Sequence, residues 1–210
     1  MTKAKVKICG VTTPGDARLA EELGADYLGL IFVKSPRQVD VVGAREIKAA
    51  TTLQIVGVFL DAPIDNVVQT VTDAGIDLIQ LHGKESPEYC AQLQSRTNKP
   101  IIKAFRSTAI PDTALLGAYE TTSFFLFDLD KDTLEDERLT ETMVSMWGDV
   151  SRARRQGFRV FLAGALDESN VREAIRRTNA FCVDVCRGVE SSPGIKDPDA
   201  LKRFISEVRA

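Results

Sequence analysis

Two side chains suited to acid–base chemistry stand at the ends of short apolar runs. The thiol of Cys9 closes the first run of the chain, and the carboxyl of Asp128 directly follows the run Phe124–Phe127. A thiolate can take a proton from carbon, and a carboxylic acid can protonate a leaving oxygen. Because a free cysteine more often packs as a small buried side chain, the interpretation depends on whether the fold brings these two groups together.

Eight short apolar runs alternate with longer segments of helical period. The runs are Val6–Ile8, Tyr27–Phe32, Gln54–Phe59, Leu78–Leu81, Ile101–Ala104, Phe124–Phe127, Arg159–Leu162 and Phe181–Val185. Their β-branched and aromatic content is typical of strands buried on both faces of a parallel sheet. Eight βα units predict an α/β fold, a (β/α)8 or TIM barrel, as one domain over residues 1–210.

Caps and glycines mark the predicted helix boundaries. Thr13-Pro14, Ser86-Pro87 and Asp197-Pro198 pair a capping side chain with a proline in the first turn, which predicts three helix starts. Gly24 and Gly75 each precede a short segment that ends in aspartate, and glycine readily closes a helix in the left-handed conformation. The two endings predict the same αβ turn used twice.

Composition restricts the partners and the compartment. The 210 residues carry 30 acidic and 27 basic side chains, a formal charge of −3, and no dense basic run, so nucleic acid is not an expected partner. No stretch reaches the roughly 20 apolar residues of a membrane span, which predicts a cytoplasmic protein without a membrane partner. Four scattered cysteines predict reduced thiols and no metal site.

In a barrel of this kind, catalytic side chains lie at the carboxyl ends of the strands. The candidates there are Cys9, Phe32 to Arg37, Asp61, His82, Arg106, Asp128, Gly164 and Asp184 to Glu190. Cys9 and Asp128 form a plausible base and acid if the barrel places them on opposite sides of one substrate.

Several motifs resemble one enzyme family, nearly end to end and in the same order. They are Lys7-Ile8-Cys9-Gly10, Lys34-Ser35-Pro36-Arg37, Gly57-Val58-Phe59, Gln80-Leu81-His82-Gly83, Leu162-Ala163-Gly164 and Gly188-Val189-Glu190-Ser191. This combination resembles the phosphoribosylanthranilate isomerases of tryptophan biosynthesis.

The resemblance implies an Amadori rearrangement of N-(5-phosphoribosyl)anthranilate to the 1-deoxyribulose product, with neither metal nor organic cofactor. It implies that Asp128 protonates the ring oxygen as general acid and that Cys9 takes the C2 proton as general base. Lys7 shares a strand face with Cys9, and its charge would lower the pKa of the thiol.

The resemblance also implies the substrate-binding residues. Arg37 would bind the anthranilate carboxylate, Asp184 would face the sugar or the bound amine, and His82 would line the substrate. The phosphate would lie over Gly164, Ala165, Arg187 and Gly188, in the loops after strands seven and eight. From the residues alone, Arg37 could equally be a solvated loop side chain, Asp184 a buried carboxylate with backbone donors, and His82 a structural residue.

The chain departs from the family pattern after the sixth strand. The family usually carries a glycine-rich loop there, whereas residues 140–149 hold no glycine before Trp147 and predict a helix from about Leu139 through Arg154, preceded by a mobile loop from Asp128 to Arg138. Cys186-Arg187 replaces the usual pair of serines, and Arg187 could supply charge to a phosphate. A diverged phosphosugar-binding barrel, with another substrate or no catalytic role, is therefore the alternative function. Both a monomer and a homodimer remain open.

Overall fold

Eight parallel strands close into a ring. A computed structural model of the protein describes residues 3–108, 110–129 and 136–210, and gives the backbone alone for residues 136–140. The ring comprises β1 Lys5–Cys9, β2 Tyr27–Ile31, β3 Gln54–Phe59, β4 Leu78–Leu81, β5 Ile101–Arg106, β6 Phe124–Asp128, β7 Val160–Leu162 and β8 Cys182–Val185. Neighbours in the chain are neighbours in the ring, and β8 pairs with β1. The predicted (β/α)8 barrel is confirmed.

A helix follows every strand. The helices are α1 Pro14–Glu22, α2 Val41–Ala49, α3 Ile64–Ala74, α4 Pro87–Thr97, α5 Thr113–Gly117, α6 Asp136–Arg155, α7 Val171–Thr178 and α8 Pro198–Arg209. After β8 the chain adds a 3-10 turn, Arg187–Val189, and an antiparallel hairpin of β9 Glu190–Ser192 and β10 Ile195–Lys196. The sequence did not predict this hairpin, which lies at the same end of β8 as the candidate site.

All three predicted helix starts are confirmed. The side chains of Thr13, Ser86 and Asp197 each accept a hydrogen bond from a backbone N–H of the first turn. A proline occupies that turn in each case, where the helix leaves N–H groups without internal partners.

The two predicted αβ turns share one structure. Gly24 and Gly75 both have a positive φ, of 93° and 68°. The aspartate two residues later then exchanges hydrogen bonds with the start of the preceding strand: Asp26 with Val6, and Asp77 with Ile55. Each carboxylate thus fixes the entry of one strand against the next.

The barrel separates two apolar cores. Inside the ring lie alternate strand residues, among them Tyr27, Val56, Leu126 and Phe161. The larger core fills the space between the strands and the helices. Toward the carboxyl ends of the strands, polar side chains replace apolar ones inside the ring, and the candidate site begins there.

The segment after β6 differs from its prediction. Asp128 is the last residue of β6, and α6 already begins at Asp136, so the predicted loop from Asp128 to Arg138 is too long at both ends. Residues 130–135 of that loop lie outside the described residues. The helix predicted from about Leu139 is present and starts three residues earlier than expected. Its residues Met146 and Trp147 are buried, and their packing against the barrel favours helix over loop here.

Within the described part of the chain, no helix is both long and apolar enough to cross a bilayer.

Candidate active site

One cavity at the carboxyl ends of the strands gathers most of the predicted site residues. It has a volume of about 370 Å³ and is lined by Cys9, His82, Asp128, Gly164, Ala165, Asp184, Arg187 and Gly188, together with residues that the sequence did not single out. Of the residues to which the resemblance gives a role, Arg37 alone does not line it, and the strand-end candidates Asp61 and Arg106 line a neighbouring cavity instead. Cys9 ends β1 and Asp128 ends β6, with β7 and β8 between them on the shorter arc of the ring. The two groups therefore reach one cavity from separate sides.

Positive charge surrounds the Cys9 thiol. The thiol is 8% exposed, and a hydrogen bond from Cys186 together with the charges of Lys7 and Lys196 holds the pKa of Cys9 well below its usual value, although burial acts in the opposite direction. Gly29 on β2 permits this packing: a Cβ there would lie 2.8 Å from the Cys9 sulfur and 2.9 Å from the Lys7 ammonium. The surroundings favour a thiolate on Cys9.

Lys7 and Asp184 form an ion pair inside the barrel. The Lys7 ammonium donates to both carboxylate oxygens of Asp184, at 2.9 and 3.0 Å, and neither side chain is more than 7% exposed. Burial tends to lower the pKa of Lys7, but the negative charges of Asp184 and Cys9 outweigh it and raise that pKa. Burial raises the pKa of Asp184 to about 7, against the attraction of Lys7. Lys7 is thus the positively charged neighbour of two acidic groups in the cavity, Asp184 and Cys9.

The Asp128 carboxyl has a histidine beside it. His82 Nε2 lies 3.3 Å from Asp128 Oδ2, and the other ring nitrogen, Nδ1, lies 3.0 Å from the side-chain nitrogen of Gln80. With the Gln80 amide placed this way, Nδ1 accepts and Nε2 carries the proton toward Asp128. The Gln80 side-chain oxygen is buried without a partner among the described residues, and Gln80 also lines the cavity.

The loops after β7 and β8 place two glycines, Gly164 and Gly188, at one corner of the cavity. A Cβ on Gly164 would lie 2.3 Å from the Leu129 nitrogen, and one on Gly188 would lie 2.2 Å from the Leu166 oxygen, so both positions require glycine. Ala165 has a φ of 55°, a left-handed conformation that costs a non-glycine residue about 1–2 kcal/mol. The Asn170 side chain donates to the Ala165 carbonyl at 2.8 Å. The exposed Arg187 adds a positive charge to this corner.

Arg37 is bound within the protein. Its Nε and Nη2 donate to both carboxylate oxygens of Glu190, the shortest of these bonds being 2.6 Å. The buried ammonium of Lys196 donates to the same carboxylate at 2.9 Å and to the Cys9 carbonyl at 2.6 Å. Despite burial, these two cations hold the pKa of Glu190 below its usual value. Arg37 thus lies beside the cavity as part of a network that includes the backbone of Cys9.

Sequence reasoning missed two residues of this site. Lys196 lies in the unpredicted β9–β10 hairpin, and no local pattern marks it as buried. Gln80 carries a visible signal, because it is a polar residue within the apolar run Leu78–Leu81 and belongs to a motif already noted. A polar side chain in a strand that is buried on both faces indicates a partner inside the barrel.

Fold and site together define an enzyme of the (β/α)8-barrel class with a thiol and a carboxyl in one cavity at the strand ends. Residues 6–207 match the family model described as N-(5'phosphoribosyl)anthranilate (PRA) isomerase, and the chain belongs to this family.

Similar proteins agree over the whole length. The N-(5'-phosphoribosyl)anthranilate isomerase of Citrifermentans bemidjiense is 40% identical over an alignment 210 positions long, which covers 98% of this chain and 97% of that one. The crystal structure of phosphoribosyl anthranilate isomerase from Thermotoga maritima has a TM-score of 0.84 at 29% identity, with 98% of each chain covered. A further isomerase structure, in complex with reduced 1-(o-carboxyphenylamino)-1-deoxyribulose 5-phosphate, has a TM-score of 0.81 at 30% identity, with 98% of each chain covered.

Proposed function

We propose that the protein catalyses the isomerisation of N-(5-phosphoribosyl)anthranilate in tryptophan biosynthesis, with Asp128 as general acid and Cys9 as general base. One observation carries this function: the whole chain matches the isomerase family, and the two groups that this chemistry needs line one cavity. The chemistry requires only proton transfers, which protein side chains can perform.

Ring opening falls to Asp128. The protonated carboxyl gives its proton to the ribose ring oxygen while the bond from that oxygen to C1 breaks, and the nitrogen lone pair forms the Schiff base. Asp128 is left as a carboxylate. His82 Nε2, 3.3 Å away, can donate to this carboxylate and stabilise the charge as it forms.

The second step belongs to Cys9. Its thiolate takes the proton from C2 of the Schiff base, the C2–H electrons form the C1–C2 double bond, and the iminium nitrogen becomes neutral. The enol that results tautomerises to the 1-deoxyribulose product. Lys7 and Lys196 support this step, because their charges favour the thiolate before proton transfer.

The remaining lining groups match parts of the substrate. Gly164, Ala165, Gly188 and the Arg187 guanidinium form the corner that would hold the phosphate. Asp184 and the free side-chain oxygen of Gln80 face the same cavity and can accept hydrogen bonds from ribose hydroxyls or the amine.

Arg37 would bind the anthranilate carboxylate at the edge of this cavity. Its Nε and Nη2 are held by Glu190, which fixes the plane of the guanidinium. Substrate would have to use the remaining donors or displace part of this ion pair. The carboxylate assignment therefore predicts a contact on the side of Arg37 that Glu190 leaves open.

We place the enzyme in the cytoplasm, where reducing conditions keep Cys9 as a free thiol. Its partner is a small phosphorylated sugar derivative, and it works as a monomer or a homodimer. One related isomerase, from Thermotoga maritima, is described as dimeric. Light scattering on the purified chain distinguishes the two states.

The function is tested by following anthranilate-type fluorescence when purified protein meets freshly generated N-(5-phosphoribosyl)anthranilate. Loss of signal with the wild type, but not with Asp128→Asn, supports the isomerase and the acid. A flat trace from a folded wild-type protein contradicts it and favours the alternative of a diverged phosphosugar-binding barrel.

A further inference from the structure

Cys9 and Cys186 lie side by side at the rim of the barrel. Strands β1 and β8 pair in parallel, and their register ends with Ile8 opposite Val185. The next residues on the two chains are Cys9 and Cys186. Adjacent strands are separated by about 4.8 Å, and disulfides join Cα atoms about 4.4–6.8 Å apart. The backbone spacing at this point therefore suits a disulfide.

The two side chains lie on the inner face of the ring, where the Cys9 sulfur also lies against Gly29 of β2. Residues two apart share a strand face, so Cys9 lies on the face of Lys7, and Cys186 continues the face of Asp184; Lys7 and Asp184 meet inside the barrel. The Cys186 thiol donates to Glu190 Oε1 at 3.7 Å, and the two thiols are near enough that each shifts the pKa of the other. A Cβ on Gly10 would lie 3.0 Å from the Cys186 sulfur, which shows that this sulfur is turned toward β1.

Lys196 ties the two cysteines together through their backbones. Its buried ammonium donates to the carbonyl of Cys9 at 2.6 Å and to that of Cys186 at 3.4 Å. The same charge, with that of Lys7, favours the Cys9 thiolate, and thiolates are the form of cysteine that peroxides oxidise.

Of the four cysteines, these two are the ones at the active-site cavity. Cys9 and Cys186 both line the active-site cavity, whereas Cys90 and Cys182 are fully buried, and burial raises the pKa of each of them. A small oxidant that enters the cavity therefore meets a reactive thiolate with a second thiol beside it, which is the usual arrangement of a redox-sensitive cysteine pair.

We propose that Cys9 and Cys186 are a peroxide-sensitive pair that closes into a reversible disulfide and so blocks the active site. The Cys9 thiolate attacks one oxygen of hydrogen peroxide, the O–O bond breaks, and the departing hydroxide takes a proton to become water. Cys186 then attacks the sulfenic sulfur of Cys9, the S–O bond breaks, and a second water leaves. The two thiols lose two electrons in total, and the peroxide gains them.

Formation of the disulfide does not depend on the isomerase activity; only its effect on turnover rests on the proposed role of Cys9. The oxidised pair has no thiolate to take the C2 proton. A dithiol reductant restores both thiols by exchange.

The test treats the purified full chain with hydrogen peroxide, alkylates the remaining thiols, and maps tryptic peptides by mass spectrometry. Cys9 falls in the peptide Ile8–Arg18, and Cys186 shares the peptide Thr178–Arg187 with Cys182. We expect these two peptides to be joined through Cys9 and Cys186, with Cys182 alkylated after denaturation. Turnover should fall in parallel and return after treatment with dithiothreitol.

Two variants control the result, each measured against its own untreated sample. Cys186→Ser should form no cross-link, and its Cys9 should proceed to the sulfinic acid, so that dithiothreitol no longer restores turnover. Cys182→Ser should behave as the wild type. The proposal is overturned if wild-type Cys9 remains unmodified or reaches the sulfinic acid without a cross-link to Cys186. Because the peptide map is read without an assay, a protein without isomerase activity could still confirm or overturn the disulfide.

Discussion

At the scale of single residues, the site depends on charges that are shared. Lys7 serves both Asp184 and Cys9, and Lys196 serves both Glu190 and the backbone of Cys9. A buried cation between two anionic groups favours their ionised forms without a metal ion. The neighbours of Cys9 thus favour its thiolate form before substrate binds.

Cys9 should react as a thiolate at neutral pH. Its hydrogen bond from Cys186 and the two lysines hold its pKa well below the usual value, whereas burial raises the pKa of Cys90 to about 11. Alkylation by iodoacetamide, followed against pH, should therefore reach half its maximum rate well below the pKa of an ordinary thiol, about 8.5. Cys9→Ser should abolish the fast phase. A midpoint at the ordinary value would contradict the proposed electrostatics.

Replacement of Arg37 should affect binding more than turnover. Arg37→Ala removes the proposed contact to the anthranilate carboxylate and should raise KM about tenfold or more, the loss of one charge-assisted contact, with little change in kcat. Arg37→Lys, which keeps the charge but not the planar fork, should recover only part of the loss. Steady-state kinetics decides this, and an unchanged KM would leave Arg37 with a purely structural role beside Glu190.

At the scale of helices and strands, caps and turns that act within a few residues fix where the elements that carry the site begin and end. The predicted helix starts and the two glycine–aspartate turns are all present, because caps and left-handed glycines act within a few residues. Cys9 and Asp128 were also predictable, since each follows an apolar run and strand ends carry the chemistry of a barrel. Lys196 and the pairing of Arg37 with Glu190 were not, because these contacts join distant segments and leave no local pattern.

The contribution of one αβ turn to the free energy of unfolding can be measured directly. The Asp77 carboxylate accepts a hydrogen bond from the backbone N–H of Ile55 at 2.8 Å. Asp77→Ala leaves that N–H without its partner, and we expect a loss of about 1–3 kcal/mol in the free energy of unfolding. The exposed Asp65, in the first turn of α3, is the matched control, and Asp65→Ala should cost much less. If urea denaturation gave the same loss for both variants, the Asp77 hydrogen bond would not stabilise the fold as expected.

The phosphate corner should not tolerate a methyl group at Gly188. A Cβ there would lie 2.2 Å from the Leu166 oxygen, so the loops after β7 and β8 must move apart. Gly188→Ala should raise both KM and the inhibition constant of inorganic phosphate, by about tenfold if one good anion contact is lost. Gly117→Ala, which places a Cβ in open space, is the control. Unaltered constants would place the phosphate elsewhere in the cavity.

At the scale of the whole molecule, the active site lies where the barrel closes, at the pairing of β1 with β8. The ring closes where β1 meets β8, and these strands are joined by the pair Lys7–Asp184, two residues that are 177 apart in sequence. Lys196 and Arg209 add contacts from the last part of the chain to the first, at the Cys9 and Ala4 carbonyls. The active site therefore exists only after the two ends of the chain have come together.

Removal of one partner from the buried pair should destabilise the whole barrel. Lys7→Met or Asp184→Leu alone leaves an uncompensated buried polar group, and each should cost about 3–5 kcal/mol in the free energy of unfolding. The double variant should cost much less than the sum of the two, because neither member of the Lys7–Asp184 pair is left without the other. Guanidinium denaturation of the four proteins measures this coupling. Additive losses would show that the pair does not couple the strands.

If Cys9 takes the C2 proton, Cys9→Ala should turn over freshly generated N-(5-phosphoribosyl)anthranilate far more slowly than the wild type. We expect kcat to fall by about 10²–10⁴-fold, the range of general-base catalysis. As a control for an intact cavity, the variant and the wild type should bind the ligand of the related isomerase complex, reduced 1-(o-carboxyphenylamino)-1-deoxyribulose 5-phosphate, equally well. Cys9→Ala with wild-type turnover would contradict the assignment and require another base in the same cavity.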